Sequence, residues 1–537
     1  MEDLVLATPP KTLVWPSELR ARRARNWVSQ LPIADSVEAA GQVYRALFHL
    51  NRSELEAEDR LELLALYVAP VASVADILSR HLASFSLPLA GSKRKLADFL
   101  RELSMEMAYG YKAALQSLAG RRWRRRPDLL GQSVQCAIRY LGEVLSASYR
   151  AYLPCPSGIW KEIHSLYAYA ERHGLLDQGG VGETPVTIRE RYLRVLLLGT
   201  AGPYQLPLNE CARVESVISQ CAGRAALRLP DAGTGKQFRF VVRLTEDAPP
   251  GWALPHAADA NVRLLDVAGV VGFVNRAAER VRRGGSARDA GLRLEMLDAS
   301  VLQLLERLLN LWATPALRRH RRVASKALQA VAVASGFRAA HYFISGQAGV
   351  EVPPERRLHL VSRDLEEFLG LEVPELDAGL KGDSECYRVS SWFTRDEGAG
   401  GLALVRDSAE AVRVQAGELV ACERARGVWQ LAVVRWLRTP DAQRVEMGLQ
   451  LVPGRPRAVY VESLEGKVPA LLLEDADSAD GRRVFVQPRT LKPESMVSLT
   501  GWKGDRYTPQ QVTPGSAFEE WRLLPQVGHP DDQAVRA

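Results

Sequence analysis

The chain has 537 residues, a length that points to several domains and argues against one. Hydrophobic residues make up 47% and charged residues 25%, as in globular proteins that bury a large core. The formal net charge of +7 is mild for this length and does not by itself demand nucleic acid, although arginines cluster at 20–25, 121–126 and 318–322.

Cys136, Cys155, Cys211, Cys221, Cys386 and Cys422 contain no CxxC pair, which argues against a zinc site or a disulfide frame. The acidic start and the early Pro9-Pro10 do not read as a secretory signal. No apolar run reaches the length of a membrane span. A cytoplasmic protein is expected.

In chain order, residues 1–34 read as an irregular arm broken by prolines, with Trp15 and Trp27 docking onto the next domain. Residues 35–225 read as an all-α domain. Apolar residues recur at three- and four-residue spacing near 36–50, 53–67, 70–85, 93–119, 128–151, 158–174, 186–199 and 208–222. Residues 226–314 form a mixed segment. Its Asp231-Ala-Gly-Thr-Gly-Lys236 lacks the Ser or Thr and the helix that a phosphate loop needs, so it reads as a turn before the strand Phe238–Leu244. Helices are expected at 262–282 and 288–312. In the second, Leu294, Leu297, Val301, Leu304, Leu308 and Leu311 form a heptad seam that suits either a homo-oligomer or packing within its own domain.

Strands dominate from 327 onward, with candidates at 327–334, 338–344, 386–394, 402–406, 418–423, 428–437 and 445–452. An insertion at 346–384 carries a short helix, Asp364–Leu371. Many short strands separated by turns suggest a closed barrel over 315–465. A β-rich segment comes next at 466–525, with strands near 468–473, 482–487, 495–502 and 517–523, and then a tail at 526–537. The fold class is multidomain α + β: an N-terminal all-α domain, a C-terminal antiparallel β-barrel and a further β-rich segment.

Two motifs carry chemistry. Arg318-Arg319-His-Arg-Arg322 stands between a helix and a strand. Guanidinium groups are always charged, fork onto phosphate oxygens and stack on flat rings, so a short arginine run can hold phosphates and purines together. Such a segment can take up its bound shape only when the ligand arrives. The second motif is the turn Asp396-Glu-Gly-Ala-Gly-Gly401 between two strands. A carboxylate there can accept two hydrogen bonds from a guanine edge, and glycines allow close backbone approach. No spacing singles out a catalytic carboxylate pair, a nucleophile elbow or a metal site.

Arg318-Arg319-x-x-Arg322 followed by a strand and Asp396-x-Gly398-x-x-Gly401 resembles the two-part signature of PilZ domains, bacterial receptors for cyclic di-GMP. The stretches Trp429–Trp436 and Met447–Leu451 resemble that family's closing strands. The resemblance implies a six-stranded barrel. It also implies that Arg318, Arg319 and Arg322 grip phosphates and stack on guanines, that Asp396 reads a guanine edge, and that Gly401 holds the turn. Gly398 stands where the family has serine, which removes a hydroxyl donor. The function implied is that of a non-enzymatic cyclic di-GMP effector that needs no cofactor. It would relay ligand binding to a protein partner of motility, pilus or exopolysaccharide machinery through a domain rearrangement. Two alternatives stand beside it: a degenerate PilZ-like scaffold that binds only proteins, and a basic nucleic-acid-binding protein.

Overall fold

The computed structural model describes residues 6–12, 20–32, 35–82, 86–89, 91–120, 126–179, 186–230, 239–253, 259–294, 298–314, 323–324, 329–346, 389–408, 412–425, 427–463, 466–474, 482–492, 495–500, 506–513 and 517–525. The N-terminal half holds helices α1 (Ala21–Ser29), α2 (Ser36–Arg52), α3 (Ala57–Arg80), α4 (Gly91–Gly120), α5 (Pro127–Arg150), α6 (Ile159–Arg172), α7 (Ile188–Thr200) and α8 (Glu210–Cys221). Local chemistry sets their ends. Asp35 caps α2 by accepting from the Glu38 amide at 3.0 Å, and Thr187 caps α7 by accepting from the Glu190 amide at 3.1 Å. Proline at the first position opens α5. Buried Arg60 of α3 donates to Leu50 O and Ser53 O at 2.7 and 2.8 Å, satisfying carbonyls orphaned where α2 ends.

Three expectations change here. The arm at 1–34 carries the helix α1, and Trp27 meets Tyr67 edge-on at 6.0 Å. The two helices expected on either side of residue 68 are one, because Pro70 sits inside α3 and tertiary packing outweighs its lost hydrogen bond. By length and composition α3 is also apolar enough to cross a membrane. In the structure its Leu61, Leu64, Tyr67, Val71 and Val74 are buried in the helical core.

The mixed segment supplies β1 (Ala226–Arg228), β2 (Arg239–Arg243), β3 (Gly251–Ala253) and β4 (Val262–Asp266), in the order β1-β4-β2-β3, then α9 (Ala268–Arg282) and α10 (Asp298–Ala313). The strand expected before 244 is β2, while the turn at 231–236 lies outside the described residues. The helix expected over 262–282 is β4 followed by α9. Val262, Leu264 and Leu265 are buried in the sheet, and Asp266 accepts from the Ala268 amide at 3.0 Å where the helix begins. The stretch 287–290 is a separate 3-10 turn with a Ser286–Asp289 capping box, so α10 starts ten residues later than the seam suggested. Val301, Leu304 and Leu308 of the seam are buried in the same core as α1–α9, which extends from Leu6 to Trp312. The seam therefore packs within its own domain.

The remaining chain forms two barrels. The first contains β5 (Val323–Ala324), β6 (Ala330–Ser335), α11 (Phe337–Ser345), β7 (Ser390–Gly398), β8 (Gly401–Asp407), β9 (Leu419–Ala425), β10 (Val428–Arg438) and β11 (Arg444–Leu451). Its sheet runs β5-β7-β6-β9-β10-β11-β8, and a β7–β8 pairing closes it. The second is a closed barrel of β12 (Arg455–Ser463), β13 (Gly466–Glu474), β14 (Arg482–Val486), β15 (Val497–Leu499), β16 (Arg506–Thr513) and β17 (Glu519–Pro525), ordered β12-β13-β14-β17-β16-β15. The strand expected at 338–344 is the helix α11. Its Phe337, Ala339 and Ala340 wedge between the barrels with Leu431, Leu471 and Phe485. His341, expected on that strand, sits in this helix with Nε2 3.0 Å from Val459 O of β12. Because β12 pairs with β13 and β15, the division between barrels falls near 454 rather than 465. The helix expected at Asp364–Leu371 lies outside the described residues.

The first barrel is closed at one end by the helical domain. Leu87 exchanges two backbone hydrogen bonds with Val412, at 2.8 and 2.6 Å, and its side chain joins the barrel core. Tyr152 joins the same core, and its carbonyl accepts from the Thr439 amide at 2.8 Å. Substitution Leu87→Ala is expected to cost about 2–5 kcal/mol, the range for a buried leucine. Because the side chain belongs to the barrel's core, urea unfolding followed by far-ultraviolet dichroism (helices) and tryptophan fluorescence should shift together. A shift confined to one probe would show two independent units.

Candidate functional site

The second motif is a tight hairpin. Gly398 pairs with Gly401, leaving Ala399-Gly400 as the loop between β7 and β8. Along β7 the side chains alternate, with Trp392 and Thr394 buried inside. The register then slips. Thr394 pairs with Leu404 and Asp396 with Ala403, so Arg395 is the extra residue of a β-bulge. Residues directly opposite each other share a face. Leu402 and Leu404 point into the core, so Asp396, opposite Ala403, stands on the outer wall. Without the bulge it would enter the core.

A net of ion pairs holds this wall. The Arg395 guanidinium lies 3.6 Å from Asp396 Oδ2 and donates to Glu446 Oε2 at 2.8 Å. Arg444 reaches the same Glu446 at 3.4 Å, and Arg424 donates to Glu397 at 2.8 Å across the barrel mouth. The exposed Arg424–Glu397 pair is worth about 0–1 kcal/mol, while Glu446 is buried, so the arginines around it offset the cost of its desolvation. Arg395 also lies 5.8 Å from the centroid of Trp436. That indole covers Gly448, where a Cβ would come within 1.9 Å of Trp436 Nε1. Glycine at 448 is what lets the ring lie against the sheet.

Gly401 is fixed by a different contact. A Cβ there would sit 2.4 Å from Leu449 O of the neighbouring strand. Gly401 pairs with Gln450, whose Oε1 accepts from Arg435 Nε at 2.6 Å. Arg435 lies near enough to α10 to feel the charge of Arg307. Desolvation and this like charge pull its pKa below the ordinary arginine range. Arg307 is tied to Glu210.

Of the sequence-predicted residues, Asp396, Gly398 and Gly401 come together on this hairpin. Arg318, Arg319 and Arg322 lie outside the described residues. The strand that follows them is described, and its register bears on the site: Val323 pairs with Glu397 and Ala324 with Asp396. Arg395, Glu446, Arg435, Trp436 and Gly448 were not singled out in the sequence. Their only signal is the lapse in alternation around Arg395 and Arg435, where β7 and β10 each carry a bulge. Substitution Gly401→Ala should force the backbone of β8 away from β11 and cost about 1–3 kcal/mol, measured as the loss of urea midpoint reported by Trp392 and Trp436 fluorescence.

Residues 22–231 match the family described as Cyclic-di-GMP receptor FimW, N-terminal domain, and residues 377–457 match Cyclic-di-GMP receptor FimW, middle PilZ domain. The second match takes in Asp396, Gly398 and Gly401 and begins after the arginine run. The chain is 27% identical to the cyclic-di-GMP receptor FimW of Pseudomonas aeruginosa over 568 aligned positions, covering 95% of this chain and 92% of that protein. No solved structure matches the chain. The first barrel, with its outward-facing Asp396 and its glycine-closed hairpin, is a PilZ domain.

Proposed function

We propose that the chain is a cyclic di-GMP receptor, with the ligand held on the outer wall of the first barrel between the arginine run and the Asp396–Gly401 hairpin. One observation carries this reading: Val323 and Ala324, the two residues directly after Arg322, pair with Glu397 and Asp396. Consecutive Cα atoms are about 3.8 Å apart, which supports a role for the preceding arginine run beside the second motif. In this reading Arg318, Arg319 and Arg322 take the phosphates and stack on the guanines. Asp396, whose carboxylate lies 3.6 Å from Arg395, reads the paired N–H donors of a guanine edge. The Trp436 indole and the Arg435 guanidinium, which donates to Gln450 opposite Gly401, favour a flat anion on this wall. The named activity of the Pseudomonas aeruginosa relative agrees with it.

The relay to a protein partner is part of the proposal. The arginine run joins α10 to β5, and α10 is anchored in the helical core by Trp312, which is 1% exposed and donates Nε1 to Thr200 Oγ1 at 3.1 Å. Binding that fixes the run changes the angle between α10 and the barrel, with the Leu87–Val412 and Tyr152–Thr439 hydrogen bonds as the hinge. A partner surface on the helical domain then responds. The protein works by binding, in the cytoplasm, and not by catalysis.

Calorimetric titration with cyclic di-GMP tests the reading. Saturable binding is expected, lost in the double variant Arg318→Ala/Arg319→Ala and weakened about tenfold or more in Asp396→Ala, the loss of hydrogen bonds to a charged group. Gly398 does not hold a left-handed φ, so Gly398→Ser should fit and tighten binding by about 0.5–1.5 kcal/mol through a restored hydroxyl. If the intact protein takes up no dinucleotide, the scaffold reading stands in its place, with the absent serine as its observation. Small-angle scattering tests the relay. Superimposable curves with and without bound ligand would remove it.

A further inference from the structure

The helical domain contains a cavity of about 740 Å³ walled by α3, α4, α5, α7 and α8, far from the barrel hairpin in the chain and not used by the site above. Its volume lies within the range of small-molecule sites. Five arginines line it: Arg80, Arg139, Arg150, Arg191 and Arg194. Four have carboxylate partners, Arg80 being paired with Asp76 at 2.5 Å. Arg139 donates to Glu143 at 2.9 Å, Arg194 to Glu190 at 2.7 Å, and Arg150 to Glu215. Arg191 has no ion pair among the described residues, and its Nε is buried without a hydrogen-bond partner. Arg150 Nε and the Tyr140 hydroxyl, both at the same cavity, are also unpartnered. Tyr140 is only 1% exposed, with its ring stacked on Tyr111 at 5.8 Å.

Each buried donor left unmade costs about 1–3 kcal/mol, and few native buried groups stay unsatisfied. Here three belong to residues that line one cavity, and one of them is a guanidinium with no ion pair among the described residues. Desolvation, with Arg194 and Arg139 adding repulsion, lowers the Arg191 pKa to about 10, and Glu143 only partly offsets this. Water could satisfy the donors but would leave the charge of Arg191 unbalanced. The rest of the wall is mixed: Leu100, Val195, Leu198 and Ile218 supply apolar surface, and Asp76, Ser104, Ser146 and Asn209 are among its polar residues.

We propose that this cavity is a second ligand site, which takes an amphiphilic organic anion: a phosphate or carboxylate head against Arg191, Arg150 and Tyr140, and an apolar body along Leu100, Val195 and Ile218. The head completes the three unpartnered donors and neutralises the unpaired guanidinium. An inorganic anion alone leaves the apolar wall uncovered. The site is independent of the dinucleotide reading, since it shares no residue with the barrel.

The test is calorimetry on the full chain with decyl phosphate, alongside inorganic phosphate and decanol. Saturable binding of decyl phosphate is expected, with both partial probes at least about tenfold weaker. Arg191→Met and Tyr140→Phe should each weaken it about tenfold or more, as for lost hydrogen bonds to a charged group. Arg191→Met should also leave the ligand-free thermal midpoint unchanged or raised, because it removes an uncompensated cation while keeping the apolar stem. Flotation with phosphatidylglycerol–phosphatidylcholine vesicles separates the sources of such a head. Binding lost in Arg191→Met points to a membrane lipid, and absence of flotation alongside decyl phosphate binding points to a free anion. Equal binding of decyl phosphate to wild type and Arg191→Met, equal binding of decanol, or no binding of decyl phosphate would each overturn the assignment. So would a lowered midpoint in Arg191→Met, which would make Arg191 structural.

Discussion

The pairing of β7 on both of its edges is the constraint on which the first barrel depends. On one edge β7 meets β5 and β6, and on the other β8, which closes the sheet. The same strand carries the bulge at Arg395. Closure needs Trp392 and Thr394 inside, and a recognition site needs Asp396 outside. One extra residue satisfies both, because it inverts the alternation between positions 394 and 396. The pairing of Ala324 with Asp396 then ties the chain leaving the arginine run to the point where the strand has turned outward. Site and fold are thus specified by one register.

That register is coupled to the helical half through shared packing. Leu87 and Tyr152 belong to the N-terminal region in sequence and to the barrel core in space. The loop 203–205 between α7 and α8 adds Tyr204, with the Arg438 guanidinium 4.6 Å from its ring centroid. A contact surface of this kind, part hydrophobic core and part backbone hydrogen bonds, does not slide freely. It permits rotation about a fixed end and resists separation. The two halves are held together at Leu87–Val412.

Much of this architecture was legible in the sequence because its signals are local. The helical periodicity located the bundle. The alternating runs at 402–406, 418–423, 428–437 and 445–452 located four barrel strands. The failures have physical causes. The stretch 338–344 reads as a strand because aromatic and apolar residues crowd together, but α11 is apolar on several sides, being wedged between two barrels. The stretch 262–266 is a short strand buried against its sheet, and five apolar-rich residues before a helix look like its first turn. Pro70 misleads because the surrounding bundle holds α3 continuous. The strand β12 was missed since its arginines and prolines weaken the alternation, and its partners lie downstream in the chain. The bulges at Arg395 and Arg435 add no residue type of their own, so which side chains share the outer wall emerges only from the pairing.

The two motif glycines illustrate why letters in a signature do not carry equal physical weight. Gly401 is demanded by the backbone of its neighbour: Leu449 O occupies the place of any side chain. No alternative residue fits without moving a strand, so the glycine follows from barrel closure whether or not a ligand binds. Gly398 lacks a left-handed φ, and its substitution for serine changes chemistry without changing the path of the chain. Presence of Gly401 is therefore evidence for the fold, and the residue at 398 is evidence about affinity. In the proposed reading the hydroxyl missing at 398 weakens the site, while Asp396 keeps its charge on the outer wall. Since hydrogen bonds to charged groups outweigh neutral ones, that reading rests on the charges more than on the serine.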